Sequence, residues 1–317
     1  MPTVGNPLLS RYLRFSLYNS PYPAHDRGCA VDLYPDRDDG LAPSPVAGEV
    51  LEVHERRVPA KAYAEATDTV LLVAVDADAT PGLALDGREC NGDGCDGDGR
   101  DEPWVARLLH VDPAVAPGER VEPGESLGRL VRSGFFAPWV ANHLHLELRP
   151  RGANLLRARG SPRLVLAADV TVEPAPWDGR GRVVDAGETY VRLDAPAHPD
   201  PGGGWAGLAS EGGRSLDGGL RHYAGGGRYG ATATASADAA HEGPVTLLGE
   251  RVGVADGRDV RWADVAVQLD GEPVTGLSLF VSRERLGAKV VCPGHEHAVG
   301  DAVRVDIVPT DDPVRLG

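Results

Sequence analysis

The sequence predicts an all-β protein of two domains, and three observations carry that expectation. Short runs rich in Val, Leu and Thr alternate with clusters of Gly, Pro and Asp, the rhythm of strands and turns. Apolar residues at helical spacing are scarce. The chain has 317 residues, enough for about two domains with buried cores.

Taken in order, the first strands are expected in "PVAGEVLEVHE" (45–55) and "DTVLLVAVDA" (68–77), with one short helical turn at "YAEATD" just before the second. Further strands fall at "WVARLLHV" (104–111), "ESLGRLV" (125–131) and "NHLHLELRP" (142–150). Pro162, Pro174 and Pro176 then mark a boundary. It divides the chain into a first domain (1–160), a linker (161–176) and a second domain (177–317). The second domain reads as strands again: "RVVDAGETYVRLDAP", "GRYGATATASADA", "GPVTLLGERVGV", "DVAVQLDGEPVTGLSLFVSRE" and "AVRVDIVP". Asp270-Gly271 has the composition of a two-residue hairpin turn. The glycine-rich stretch from Pro199 to Gly230 is expected to be a long surface loop.

The formal net charge of −15 and the lack of a basic patch weigh against nucleic acid as a partner and against attraction to anionic membrane surfaces. Lys61 and Lys289 are the only lysines among 32 basic residues, the rest being arginine. Abundant carboxylates with few aromatics suit a GC-rich genome and a salty cytoplasm, where an acidic surface stays hydrated. The opening "MPTVGNPLLSRYLRFSLYNS" shows no basic run followed by an apolar stretch, and no run of ~18 apolar residues is present to span a bilayer. A cytoplasmic location is the expectation. Four cysteines in a chain this long do not make a disulfide framework.

The candidate chemistry sits in "NHLHLELRP". On a strand, alternate residues share a face. His143, His145 and Glu147 therefore face one way, and Leu144, Leu146 and Leu148 the other. A buried His, His, Glu face is costly unless something satisfies it.

Upstream of it lie "SPVAGEVLEV" (44–53) and "RLLHVDPAVAPGERVEPGESLGRLV" (107–131). In this order the segments resemble the LytM-type zinc metallopeptidases (M23 family), over about residues 15–152. The family's V-x-x-G-x-x-V-x-x-G-x-x-(I/L)-G hairpin corresponds to "VAPGERVEPGESLG" (115–128), and its HLHxE strand to His143-Leu144-His145-Leu146-Glu147. The resemblance implies a LytM/duplicated-hybrid-motif-like antiparallel β domain, followed here by a β-sandwich or β-barrel of unrecognised role. It implies a Zn²⁺ held by His25, Asp32 and His145, with His110 and His143 as the catalytic pair. Three protein ligands would leave a fourth position open for a water that the metal acidifies. The implied substrate is a peptide or a cell-wall-like polymer. The family's H-x-x-x-D opening is stretched here to "HDRGCAVD", so the segment after His25 must loop or bulge, which Gly28 would permit. Asp26 and Cys29 are alternative ligands. The second function class is a non-catalytic binding or scaffold protein on the same fold with a degenerate metal site.

Other signals are weaker. The hairpin also resembles those of biotinyl and lipoyl carriers, but no lysine stands in 115–128 to carry the cofactor. A sugar-phosphotransferase-like phosphocarrier would lack an HxH strand ending in Glu. The acidic stretch 86–102, with Asp93, Asp96, Asp98 and Asp101, is either a solvated insertion or a Ca²⁺ loop, and its match to an EF-hand is poor. "GGGRYG" (225–230) fits G-x-G-x-x-G, but no helix is expected to follow it. "CPGHEH" offers Cys292, His295 and His297 as a second metal group or an ordinary loop. Trp177, Trp205 and Trp262 are expected in the core or as a ligand platform.

Overall fold

The computed structural model describes residues 1–35, 39–85, 103–230 and 242–316. The fold is all-β: among the described residues the one α-helix is the single turn Asn6–Leu9, with proline at its start. The stretch read as a helical turn, "YAEATD", is instead a turn leading into the strand Thr67–Asp76. Two compact units form. The first comprises Met1–Leu13 and Cys29–Ala167, the second Arg14–Gly28 and Ala168–Gly317.

The first unit is built on antiparallel strands in the order Arg120–Val121, Ala47–Arg57, Thr67–Asp76, Trp104–Leu109, Leu144–Pro150, Val31–Pro35. Leu144–Pro150 therefore lies inside the sheet, and both its faces are covered. Leu144, Leu146 and Leu148 are fully buried on one side. The other side carries the polar set. The strand keeps its period-two alternation of leucines and polar residues although both faces are buried.

Two departures from expectation matter for the site. The run "WVARLLHV" is not one strand: Trp104–Leu109 ends, His110 adopts φ 70°, and Val111–Pro113 begins in another sheet. The segment "VAPGERVEPGESLG" makes two tight turns at Gly118 and Gly124, both with positive φ. Its arms do not form a simple two-stranded ladder. Arg120–Val121 pairs with Ala47–Arg57, while Ser126–Leu130 pairs with Leu41–Pro43 and Val111–Pro113.

In the second unit twelve strands follow one continuous order, from Gly243–Leu247 at one end to Glu272–Val274 at the other. Val245 and Leu247 near one end share a single core with Val265, Val267 and Leu269 near the other, so the sheet curls back on itself. The hairpin at Asp270-Gly271 forms as expected, with φ 52° and 87° at the two turn residues. The glycine-rich stretch 199–230 is not a surface loop. It contains the strands Trp205–Leu208, Ser215–Leu220 and Gly225–Tyr229, nearly all buried. Its glycines serve close packing: a Cβ on Gly226 would fall 2.2 Å from Trp262, and one on Gly227 2.3 Å from Tyr18. Trp205 and Trp262 are core residues, and Trp177 packs against the same core as Trp262.

Candidate metal centre

The strand pair Val31–Pro35 and Leu144–Pro150 sets the centre. Its register places Asp32 directly opposite His145. The Asp32 Oδ1 lies 2.9 Å from His145 Nδ1, and Oδ2 lies 3.4 Å from His143 Nε2. All three side chains are buried. On the far side of the ring, His145 Nε2 lies 3.0 Å from Glu147 Oε1. Glu147 is 1% exposed and its charge is fully matched: Arg107 and Arg149 both donate to it, as does the Ser161 hydroxyl. Burial pushes the Glu147 carboxyl up, but His145 and the two arginines outweigh it and hold it well below the usual range. Burial alone would lower the His145 pKa. Hydrogen bonds and charge from Asp32 and Glu147 prevail and raise it to about 9.

His25 is 2% exposed. Its Nδ1 lies 2.8 Å from the carbonyl of Leu17. A carbonyl only accepts, so Nδ1 carries a proton and Nε2 is the nitrogen turned away from that bond. The Leu17 peptide is fixed in turn: its N–H donates to Asp217 Oδ2 at 2.7 Å, and Ser16 Oγ donates to Oδ1. Gly28 stands at φ 62°, and its N–H meets the His25 carbonyl at 3.3 Å. This is the turn that the long His25–Asp32 spacing requires, and it uses the glycine expected to allow it. One donor atom each from His25, Asp32 and His145 lie within 4.8 Å of one another, the one such group among the described residues. Neither Asp26 nor Cys29 belongs to it.

The two other histidines flank this set. The carbonyl of Ala141 takes the Nδ1 proton of His143 at 2.9 Å. The His143 ring stacks on Phe136 at 4.4 Å and lies 4.9 Å from Tyr34. The ring of His110 is 5.2 Å from that of His143 and 5.8 Å from that of His145. Its Nδ1 is 2.6 Å from Asp68 Oδ2. Burial draws the His110 pKa down to about 4, against the pull of Asp68. Asp68, Arg107, Arg149 and Ser161 were not singled out by the sequence. The one signal for the arginines is their alternation on neighbouring strands, where Arg107 stands opposite Glu147.

The remaining candidates do not assemble. Cys292, His295 and His297 form no three-ligand group. His295 Nε2 faces the carbonyls of Gly187 and Tyr190, and its ring stacks on that of His297. "GGGRYG" begins with the strand Gly225–Tyr229, so it is not a phosphate-cradling turn. The acidic stretch 86–102 named for Ca²⁺ lies outside the described residues. No helix among the described residues is long and apolar enough to cross a membrane.

A buried cluster of two histidines and an aspartate, with two further histidines beside it, defines this as an all-β protein with a candidate metal centre. The chain belongs to the family described as "Domain of unknown function (DUF8155)". The family's N-terminal domain matches residues 3–166, which include all five histidine and aspartate candidates, and its C-terminal domain matches residues 173–308. No curated protein and no solved structure matches the chain.

Proposed function

We propose that the N-terminal domain is a zinc-dependent hydrolase of the LytM type that cleaves peptide bonds, its ligands being His25, Asp32 and His145. The convergence of one donor atom from each within 4.8 Å carries this reading. The donor set suits the ion: two imidazoles and one carboxylate are ordinary zinc ligands, and three of them leave a position open. The tautomers fit as well. His25 presents Nε2, and His145, with Glu147 accepting from Nε2–H, presents Nδ1 beside Asp32. Asp32 Oδ1 lies 2.9 Å from His145 Nδ1, so a cation bound here takes the place of the proton between them. When bound, zinc would supply a Lewis acid and lower the pKa of water.

The chain's own residues supply the rest. His145 is held in orientation by Glu147, which Arg107 and Arg149 hold in turn. His110 takes a proton from the attacking water and returns it to the leaving amine. His143, its Nδ1–H fixed on the Ala141 carbonyl and its ring stacked on Phe136, orients the attacking water by accepting its second proton at the Nε2 lone pair. A peptide or cell-wall-like polymer is the substrate class this chemistry serves, and the compartment in which it acts follows from that substrate.

The test is a peptide-library digest by the full chain with added zinc, with and without a chelator. Cleavage that a chelator abolishes and zinc restores supports the reading. Stoichiometric zinc uptake with no cleavage would instead favour a binding or scaffold protein, which the stretched His25–Asp32 spacing already suggests as the second reading.

A further inference from the structure

Three described residues other than glycine have positive φ: His110, Leu248 and Asp270. Leu248 and Asp270 each precede a glycine in a two-residue hairpin turn, where that conformation is required. His110 sits in no such turn. It joins Trp104–Leu109 to Val111–Pro113, and φ 70° is strained backbone for a residue of this size. Such a conformation persists only where the surroundings dictate it.

Asp68 supplies much of that constraint. Its Oδ1 accepts the backbone N–H of His110 at 2.9 Å, and its Oδ2 meets the same residue's Nδ1 at 2.6 Å. One carboxylate thus holds both the main chain and the ring. Asp68 is itself pinned. Oδ1 also accepts the N–H of Thr69 at 2.7 Å, Ser133 adds a side-chain hydrogen bond, and the residue is 3% exposed. The carbonyl of His110 accepts from Val131 N–H at 2.8 Å, and Phe136 presents its ring to the imidazole at 4.6 Å.

We infer that Asp68 is the positioning residue of His110: it holds the Nδ1–H tautomer, so that the lone pair of Nε2 serves as the proton acceptor at the centre. This rests on the hydrolase reading for its chemical purpose. The tautomer itself does not. In the proposed step the O–H bond of the water breaks and its proton goes to Nε2. The water oxygen bonds to the scissile carbonyl carbon, the resulting imidazolium is stabilised by the Asp68 carboxylate, and it gives its proton to the amide nitrogen as the C–N bond breaks and the amine leaves.

The geometry also dictates what Asp68→Asn does. Two backbone N–H groups meet Oδ1, so the amide oxygen of the new side chain must stay there. Its NH₂ then faces Nδ1, which must accept, and the proton moves to Nε2. The experiment is nitrogen-15 NMR of the histidine rings in the full chain at neutral pH, for wild type and Asp68→Asn, beside zinc content and peptide turnover. The expected result is His110 protonated on Nδ1 in wild type and on Nε2 in Asp68→Asn. Zinc content should be equal, and kcat should fall on the order of 10⁴-fold, the loss a tautomer-inverting Asp→Asn change gives in a serine-protease triad. A wild-type His110 protonated on Nε2 overturns the inference whether or not the variant folds. So does a folded Asp68→Asn chain with the wild-type ring pattern. Inactive wild type with the expected ring pattern removes the hydrolase reading and leaves Asp68 as the tautomer-setting residue.

Discussion

Asp32 and His145, 113 residues apart in sequence, stand opposite one another on neighbouring antiparallel strands with Oδ1 2.9 Å from Nδ1. The same imidazole turns its other nitrogen to Glu147 at 3.0 Å. Glu147 therefore sets which nitrogen of His145 is left for a metal. Glu147→Gln is expected to weaken zinc binding by about 10–100-fold, as loss of such an outer partner commonly does. It should also lower the melting temperature, because Arg107 and Arg149 lose their buried counter-charge. Competition titration against a chromogenic chelator reads the first effect and calorimetry the second. Unchanged zinc affinity in a folded variant would remove Glu147 from the centre.

Asp217 anchors the Leu17 peptide whose carbonyl holds His25. Burial raises its pKa from 3.8 to about 6, with Ser16, Tyr229 and the Leu17 N–H opposing. A carboxyl raised on folding contributes stability that is full below its unfolded pKa and is lost as pH rises through the folded value. Between about pH 4 and 6 this group should therefore cost the fold roughly 3 kcal/mol, and the loss should level off above that. Denaturant melts of wild type and Asp217→Asn across that range check it: the difference between the two should carry the slope. Parallel curves would contradict it.

His222 acts in the opposite sense. Burial, with some help from Lys289, lowers its pKa from 6.5 to about 3. A base lowered on folding contributes stability above its unfolded pKa and loses it as pH falls through the window from 6.5 to about 3. Asp217 and His222 hence contribute opposed slopes to the wild-type profile. A folded His222→Gln chain should lose less stability than wild type on acidification from pH 6.5 to 4, measured by the same melts.

The glycines of Gly225–Tyr229 are packing residues. A Cβ at Gly226 would lie 2.2 Å from Trp262 Cζ2 and 2.6 Å from the Asp217 carbonyl. Gly226→Ala should cost about 1–3 kcal/mol, seen as a lower denaturation midpoint with an unchanged slope. Gly243→Ala, where an added Cβ meets nothing within 4 Å, is the matched control.

The readable parts of this molecule were those with local pattern. The period-two run His143, His145, Glu147 declared a shared polar face, and contacts of Glu147 and Asp32 with His145 bear that geometry out. Gly28 declared the turn that a long His25–Asp32 spacing needed. What was not legible lies far apart in sequence. Asp68 reaches His110 across 42 residues and Asp217 reaches Leu17 across 200, and no short motif encodes either meeting. The strand break at His110 is not legible because "WVARLLHV" is mostly apolar and reads as one strand, and periodicity cannot show where φ changes sign. The stretch 199–230 reads as a loop because glycine signals loops on average, while here it makes room for Trp262 and Tyr18.

The most direct test of the central claim is the metal content of the chain purified without chelator, by elemental analysis, beside His145→Ala. About one zinc per chain is expected in wild type and none held by the variant, since His145 would supply one of three ligands. No zinc in the wild-type protein, even after incubation with the ion, would contradict it and leave the cluster as a hydrogen-bonded core.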